Sequence, residues 1–170
     1  MESTALLIAA SLNAGTVLAI ASLGLLINEK AGIVNLGAEG MMLCAALAGF
    51  ATVVHTGSTV AGFAAGMAAG ALLAAIFGVL VIWLNTNQYA TGLALSLFGG
   101  GFSAFAGTSY VQEKLPEQSQ FAIPVLADIP FLGNALFKHH PMVYVCIGLT
   151  LALIWFLWRT RAGLVLRSVG

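Results

Sequence analysis

Asn35 and Glu39 stand four residues apart in Gly32-Ile-Val-Asn-Leu-Gly-Ala-Glu-Gly-Met-Met42. On a helix that spacing puts both side chains on one face. Glu39 is the only Asp, Glu, Lys or Arg between Lys30 and Glu113. A carboxylate in so apolar a stretch costs about 2.5–3.5 kcal/mol to insert into lipid. Two roles are open to it. It satisfies backbone donors or pairs with Lys30 near one end of a span, or it faces a polar cavity and touches substrate or a cation. Gly32, Gly37 and Gly40 surround the pair, and each glycine weakens a helix by roughly 1 kcal/mol relative to alanine. The segment therefore predicts a partly unwound or re-entrant start to its span.

A second constellation is Gly99-Gly100-Gly101, with Gly92 and Ser96 in the turns before it. Three glycines in the middle of a helix imply a bend, a break or a close crossing. Broken helices near the membrane midplane line transport pathways, and the alternative is a crossing by the glycine ridge described next. Phe98, Phe102 and Phe105 offer aromatic surface beside it. Gly62, Gly66, Gly70, Ala74 and Gly78 recur at steps of four and make a smooth ridge for helix packing in lipid. His139 and His140 are adjacent and without acidic or thiol ligands at useful spacing. They read as interfacial polar residues, as does His55. Cys44 and Cys146 lie in apolar segments and read as small core residues. No nucleophile elbow, phosphate-binding loop, dinucleotide fingerprint or zinc spacing occurs in the chain. Neither a catalytic site nor a metal, cofactor or nucleic-acid partner is expected.

The elements that hold these residues follow from composition. Charged residues are 7% and apolar residues 60% of the chain, against about 25% charged in a soluble domain. Such a chain belongs in a lipid bilayer. About 20 apolar residues cross it as a helix, and five stretches qualify: 5–27, 32–55, 58–84, 89–108 and 142–158. The expected fold is all-α, a polytopic transmembrane bundle forming a single domain over 1–170. Arg159, Arg161 and Arg167 follow the fifth span and place that end in the cytoplasm. Counting back puts the N-terminus outside, and 109–141 becomes an outer loop. Its apolar, proline-bearing stretch 123–137 predicts an element at the interface. Lys114 and Lys138 oppose this orientation, but Glu113, Glu117 and Asp128 accompany them.

Asn28-Glu-Lys-Ala-Gly-Ile-Val-Asn-Leu-Gly-Ala-Glu-Gly-Met-Met42 resembles the signature of permease subunits of ATP-binding-cassette importers. The branch is that of nucleoside and simple-sugar permeases, grouped with branched-chain amino-acid permeases. Asn87-Gln88 and Ala127-Asp-Ile-Pro-Phe-Leu-Gly133 agree with it, and Thr160–Gly170 looks like the approach to a cytoplasmic coupling helix.

The resemblance implies a multi-pass plasma-membrane protein, in a bacterium one of the inner membrane. It implies pairing with a second permease subunit, a cytoplasmic ATP-binding subunit that performs the hydrolysis, and an external substrate-binding lipoprotein. Asn35, Glu39, Gln88, Ser96, Gly99, Gly100 and Gly101 are the candidate pathway residues, and Arg161, Gly163 and Arg167 approach the ATPase contact. Members of this branch continue with further spans, so the chain is expected to be the N-terminal part of a longer permease. Two other readings stay open: part of an ion-coupled secondary transporter with Glu39 as its proton or cation site, and a structural membrane protein without a pathway.

Overall fold

The computed structural model describes residues 2–113, 121–122, 138–139 and 141–169. These fold almost wholly into helices: α1 (Glu2–Lys30), α2 (Ala38–Thr56), α3 (Thr59–Gly78), α4 (Gln88–Gly107), α5 (Pro141–Arg159) and α6 (Arg161–Val169). Phe121–Ala122 and Lys138–His139 form a two-residue antiparallel pairing, β1 with β2. Five stretches are long and apolar enough to cross a membrane: Ala10–Lys30, Ala38–Thr56, Thr59–Trp83, Gln88–Tyr110 and Pro141–Arg159. The all-α, five-span expectation holds. The interfacial element expected at 123–137, along with Lys114, Glu117, Asp128 and His140, lies outside the described residues.

The first break falls later than expected. Glu29 and Lys30 are good helix formers, and α1 runs through them. It stops where Gly32 takes a left-handed φ of 75° and its N–H reaches Glu29 O at 3.0 Å. Helix α2 then begins at Ala38, not at residue 32. Its other end is closed by Gly57, also left-handed at φ 66°, whose N–H bonds Val53 O at 2.8 Å. This glycine terminator supplies the positive φ that other residues avoid. Ser58 caps α3 by accepting from Ala61 N at 3.4 Å, so α2 and α3 form a tight antiparallel hairpin.

At its far end α3 widens into a π-turn, Val79–Trp83. Thr86 folds back onto it, donating from both N–H and hydroxyl to Leu80 O at 3.1 and 2.9 Å. Asn87 then starts α4, its Oδ1 accepting from Tyr89 N and Ala90 N at 2.9 and 3.2 Å. A side chain placed this way satisfies donors that the first turn leaves orphaned.

The chain divides into two compact units, Ile33–Glu117 and the remainder. In Ile33–Glu117 the core is Met41 and Cys44 of α2 against Leu73 and Phe77 of α3, with Ile33, Val81 and Leu95 packed on it. In the other unit α5 packs with α1 and with α6. There Thr16, Val143, Cys146 and Leu157 are buried. Leu72, Leu97, Phe105 and Trp158 are all more than 60% exposed. Water does not tolerate so much outward apolar surface, and lipid does.

Candidate functional site at the seam of α2 and α4

Helices α2 and α4 run parallel, and the non-helical lead-in to α2 lies along the first two turns of α4. Gln88, the first residue of α4, sends its side chain across: Oε1 accepts from Val34 N at 3.0 Å. One turn on, a Cβ built on Gly92 would lie 2.8 Å from Leu36 N and 3.0 Å from Gly37 N. Further along, a Cβ on Gly40 would lie 2.7 Å from Ser96 Cα, and one on Gly99 would overlap the backbone of Gly40. The two backbones touch from Leu36 to Gly40, and only glycine permits it at positions 40, 92 and 99. The Cys44 thiol extends the seam with a weak bond to Gly99 O at 3.9 Å.

Asn35 and Glu39 do not share a helical face, because Asn35 precedes the helix. Its amide turns back to cap the lead-in: Oδ1 accepts from Gly37 N at 2.9 Å, and Nδ2 faces Met41 Sδ at 3.8 Å. The short polar side chain outcompetes a first helical turn for that backbone donor. Asn35 and Gln88, rather than Glu39, therefore accept from the lead-in's backbone at Gly37 N and Val34 N. Glu39 sits exposed in the first turn of α2, where a carboxylate complements the positive end of the helix dipole.

The depth of Glu39 follows from the seam. Gly37 packs on Leu95, seven residues into α4, or about 10 Å along its axis. Glu39, two residues on, thus lies about a third of the way along α4 and in the first turn of its own helix.

The glycine triplet does not break α4, which is continuous from Gln88 to Gly107. Gly99 is the crossing point, and its partner is Gly40 of α2 rather than the ridge of α3. Gly100 and Gly101 have nothing within 4 Å of a built Cβ. The ridge of α3 meets α2 over part of its length. Built Cβ atoms on Gly62 and Gly66 would lie 2.9 Å from Gly49 O and 3.0 Å from Ala45 O, and one on Gly70 would lie 3.7 Å from Ala45 Cβ. Gly78 is open and Ala74 is exposed.

Two apolar clefts flank the seam. One of about 550 Å³ lies between α2, α3 and α4, with Cys44, Leu73, Phe98, Phe102 and Tyr110 among its lining. The other, about 440 Å³, is lined by Leu80, Thr91, Leu95 and Phe98 among others. The expected pathway residues form the seam or its surroundings and do not line either cleft. Phe98 and Phe102 do, stacked at 5.8 Å between centroids. Tyr110 was missed at the sequence level. It accepts or donates to His55 Nε2 at 3.1 Å and meets Phe50 edge-on, and nothing in its local sequence announces a contact so distant along the chain.

Among the described residues no group of His, Cys, Asp and Glu could hold a metal. Arg161 and Arg167 of α6 are exposed and Gly163 is buried, its position pressed against Phe156 and Leu157.

The described residues thus make a polytopic helical membrane fold with a glycine seam and a non-helical lead-in to α2. The chain belongs to the family described as branched-chain amino acid transport system / permease component, whose model matches residues 7–170. It is 40% identical to a putative glucose ABC transporter permease, TsgC13, of Haloferax volcanii, over all of this chain and 53% of the relative. It is 32% identical to the guanosine ABC transporter permease NupQ of Bacillus subtilis, over all of this chain and 57% of that protein. Identity to the nucleoside ABC transporter permease NupC of Lactococcus lactis is 30%, over 91% of this chain and 52% of that one. The chain spans about half the length of these curated relatives. No solved structure matches it.

Proposed function

We propose that this chain forms part of the membrane-spanning component of an ATP-driven importer for nucleosides or simple sugars. The observation that carries the reading is the backbone of Ile33–Gly37, non-helical although it lies beside the first turns of a membrane-long helix. Irregular backbone at that depth persists only where protein buries it or where it borders a water-filled cavity. Discontinuous helices of this kind flank substrate routes in transporters. Asn35, Glu39, Gln88 and Ser96 border the route, and the crossing at Gly99 holds its wall. Gly100 and Gly101 leave the adjacent face of α4 flat.

The family membership supports the rest of the machine. ATP hydrolysis resides on a separate cytoplasmic subunit. A second permease subunit completes the pathway, and an external lipoprotein delivers the substrate. The C-terminal end of α5 faces the cytoplasm and the N-terminus the outside. Arg161, Gly163 and Arg167 lead toward the ATPase contact.

The test is uptake by cells expressing the natural reading frame that contains this chain, together with its neighbouring ATPase and lipoprotein genes. Labelled guanosine and glucose are supplied separately. Uptake of one of them that follows cellular ATP and survives a protonophore is expected. Uptake abolished by the protonophore while ATP is maintained would overturn the reading in favour of ion coupling.

A further inference from the structure

Gln88 is the first residue of α4, and its place is fixed from both sides. Asn87 Oδ1 accepts from Tyr89 N and Ala90 N, and Thr91 N bonds Asn87 O at 2.9 Å. The Thr86 and Thr91 hydroxyls meet at 2.9 Å across the start of the helix. Gln88, Gly92, Leu95 and Gly99 then recur at steps of four, three and four, which is one face of a helix. Each of the four meets α2 or its lead-in: Gln88 at Val34, Gly92 at Leu36 and Gly37, Leu95 at Gly37, and Gly99 at Gly40. Of these four, Gln88 alone has a polar side chain.

On the lead-in, two backbone donors, Val34 N and Gly37 N, are taken by two carboxamide oxygens. Gln88 Oε1 reaches the first from α4 at 3.0 Å, and Asn35 Oδ1 the second from within the lead-in at 2.9 Å. Val34, Asn35 and Gln88 are half-buried and Gly37 is buried. A carboxamide carries one oxygen and one NH2 group. A backbone N–H only donates, so each amide turns its oxygen to the lead-in, and this sets both orientations. The Gln88 oxygen is thereby committed to the chain and not to a transported molecule.

We propose that Gln88 is a positioning residue of the transport route, acting through Val34 rather than on the substrate. From the face of α4 it pins one end of the non-helical segment, and Asn35 pins the other. Held at both ends, the segment keeps the shape that borders the route. Without either oxygen a backbone donor loses its partner, lipid supplies no other, and the segment shifts. The inference deepens the transport reading and rests on it.

The experiment measures substrate taken up per ATP hydrolysed. Proteoliposomes hold the permease made from the natural reading frame that contains this chain, with its ATPase and lipoprotein, and are supplied with labelled guanosine or glucose. A loss of folded protein lowers uptake and hydrolysis together and leaves their ratio unchanged. Q88L and N35A are each expected to lower the ratio about ten-fold, the size of effect that an unsatisfied buried donor has on an equilibrium. Q88L/N35A is expected to lower it little further, because both changes release the same segment. Q88E keeps the oxygen and drops the NH2 group, and is expected to keep most of the ratio at neutral pH. A loss in Q88E equal to that in Q88L overturns the proposal and makes Gln88 a substrate contact through its nitrogen. A parental ratio in Q88L overturns it too, as do losses that multiply in the double variant. A parent that takes up neither substrate refutes the transport reading and this inference with it. A parent that transports while Q88L and Q88E behave alike refutes the inference alone.

Discussion

Gly40 of α2 and Gly99 of α4 meet backbone to backbone, closely enough that a methyl group on either would overlap the other helix. Without a hydrophobic drive between helices in lipid, such close approach supplies the van der Waals attraction that holds them together. The contact also sets the register that brings Gln88 to Val34 and Gly92 to Gly37.

Gly40→Ala and Gly99→Ala should each destabilise the protein by about 1–3 kcal/mol, the usual cost of overpacking a tight site. Gly100→Ala and Gly101→Ala, where the built Cβ meets open space, should be close to neutral. Thermal unfolding in detergent distinguishes the pairs. Equal effects at all four positions would contradict the crossing.

Val34 N donates to the Gln88 side chain across the seam. Gln88→Leu leaves that donor unsatisfied, which costs about 1–3 kcal/mol when buried. Gln88→Glu keeps an acceptor at the same reach and should lose less. Cysteine accessibility at Val34 and Leu36 should rise in the leucine variant only.

Glu39→Gln keeps the shape of the side chain and removes its charge. In an ATP-driven importer, uptake by this variant should show the same pH profile as the parent, with any loss falling on assembly or turnover. A profile that is proton-dependent in the parent and flat in the variant would instead identify Glu39 as a proton site.

Asn87→Ala removes the acceptor for Tyr89 N and Ala90 N and should cost about 1 kcal/mol, with Asn87→Asp restoring most of it. Gly163→Ala should displace α6 from the end of α5, because its methyl would strike Phe156 and Leu157. The Arg167 guanidinium lies 4.6 Å over the Trp158 ring, and loss of that stack would then appear as a change in Trp158 fluorescence.

Much of the fold was legible because hydropathy over about 20 residues is a local property that lipid enforces. The five spans and the glycine-loosened start to α2 follow from neighbouring residue types. The helical face shared by Asn35 and Glu39 was misread. Spacing assumes a helix, whereas Asn35 turns its amide onto Gly37 N and ends the lead-in itself. A crossing at the glycine triplet was one of two open readings and was drawn with the ridge of α3, whereas Gly99 meets Gly40 of α2. Both α2 and α3 offer small residues, and sequence contains no measure of which surface reaches α4.

By itself the sequence determined that this is a membrane protein of five apolar helices with one carboxylate among the middle three. Lipid admits few other solutions for a chain with 7% charged residues. Only the tertiary structure decided where that carboxylate lies. The parallel seam of α2 and α4 starts the helix of Glu39 about 10 Å along its neighbour. That offset arises because glycine backbones fit each other at Gly40 and Gly99, a contact between residues far apart in the chain. Local residue types specify the span, and the packing between spans specifies its depth.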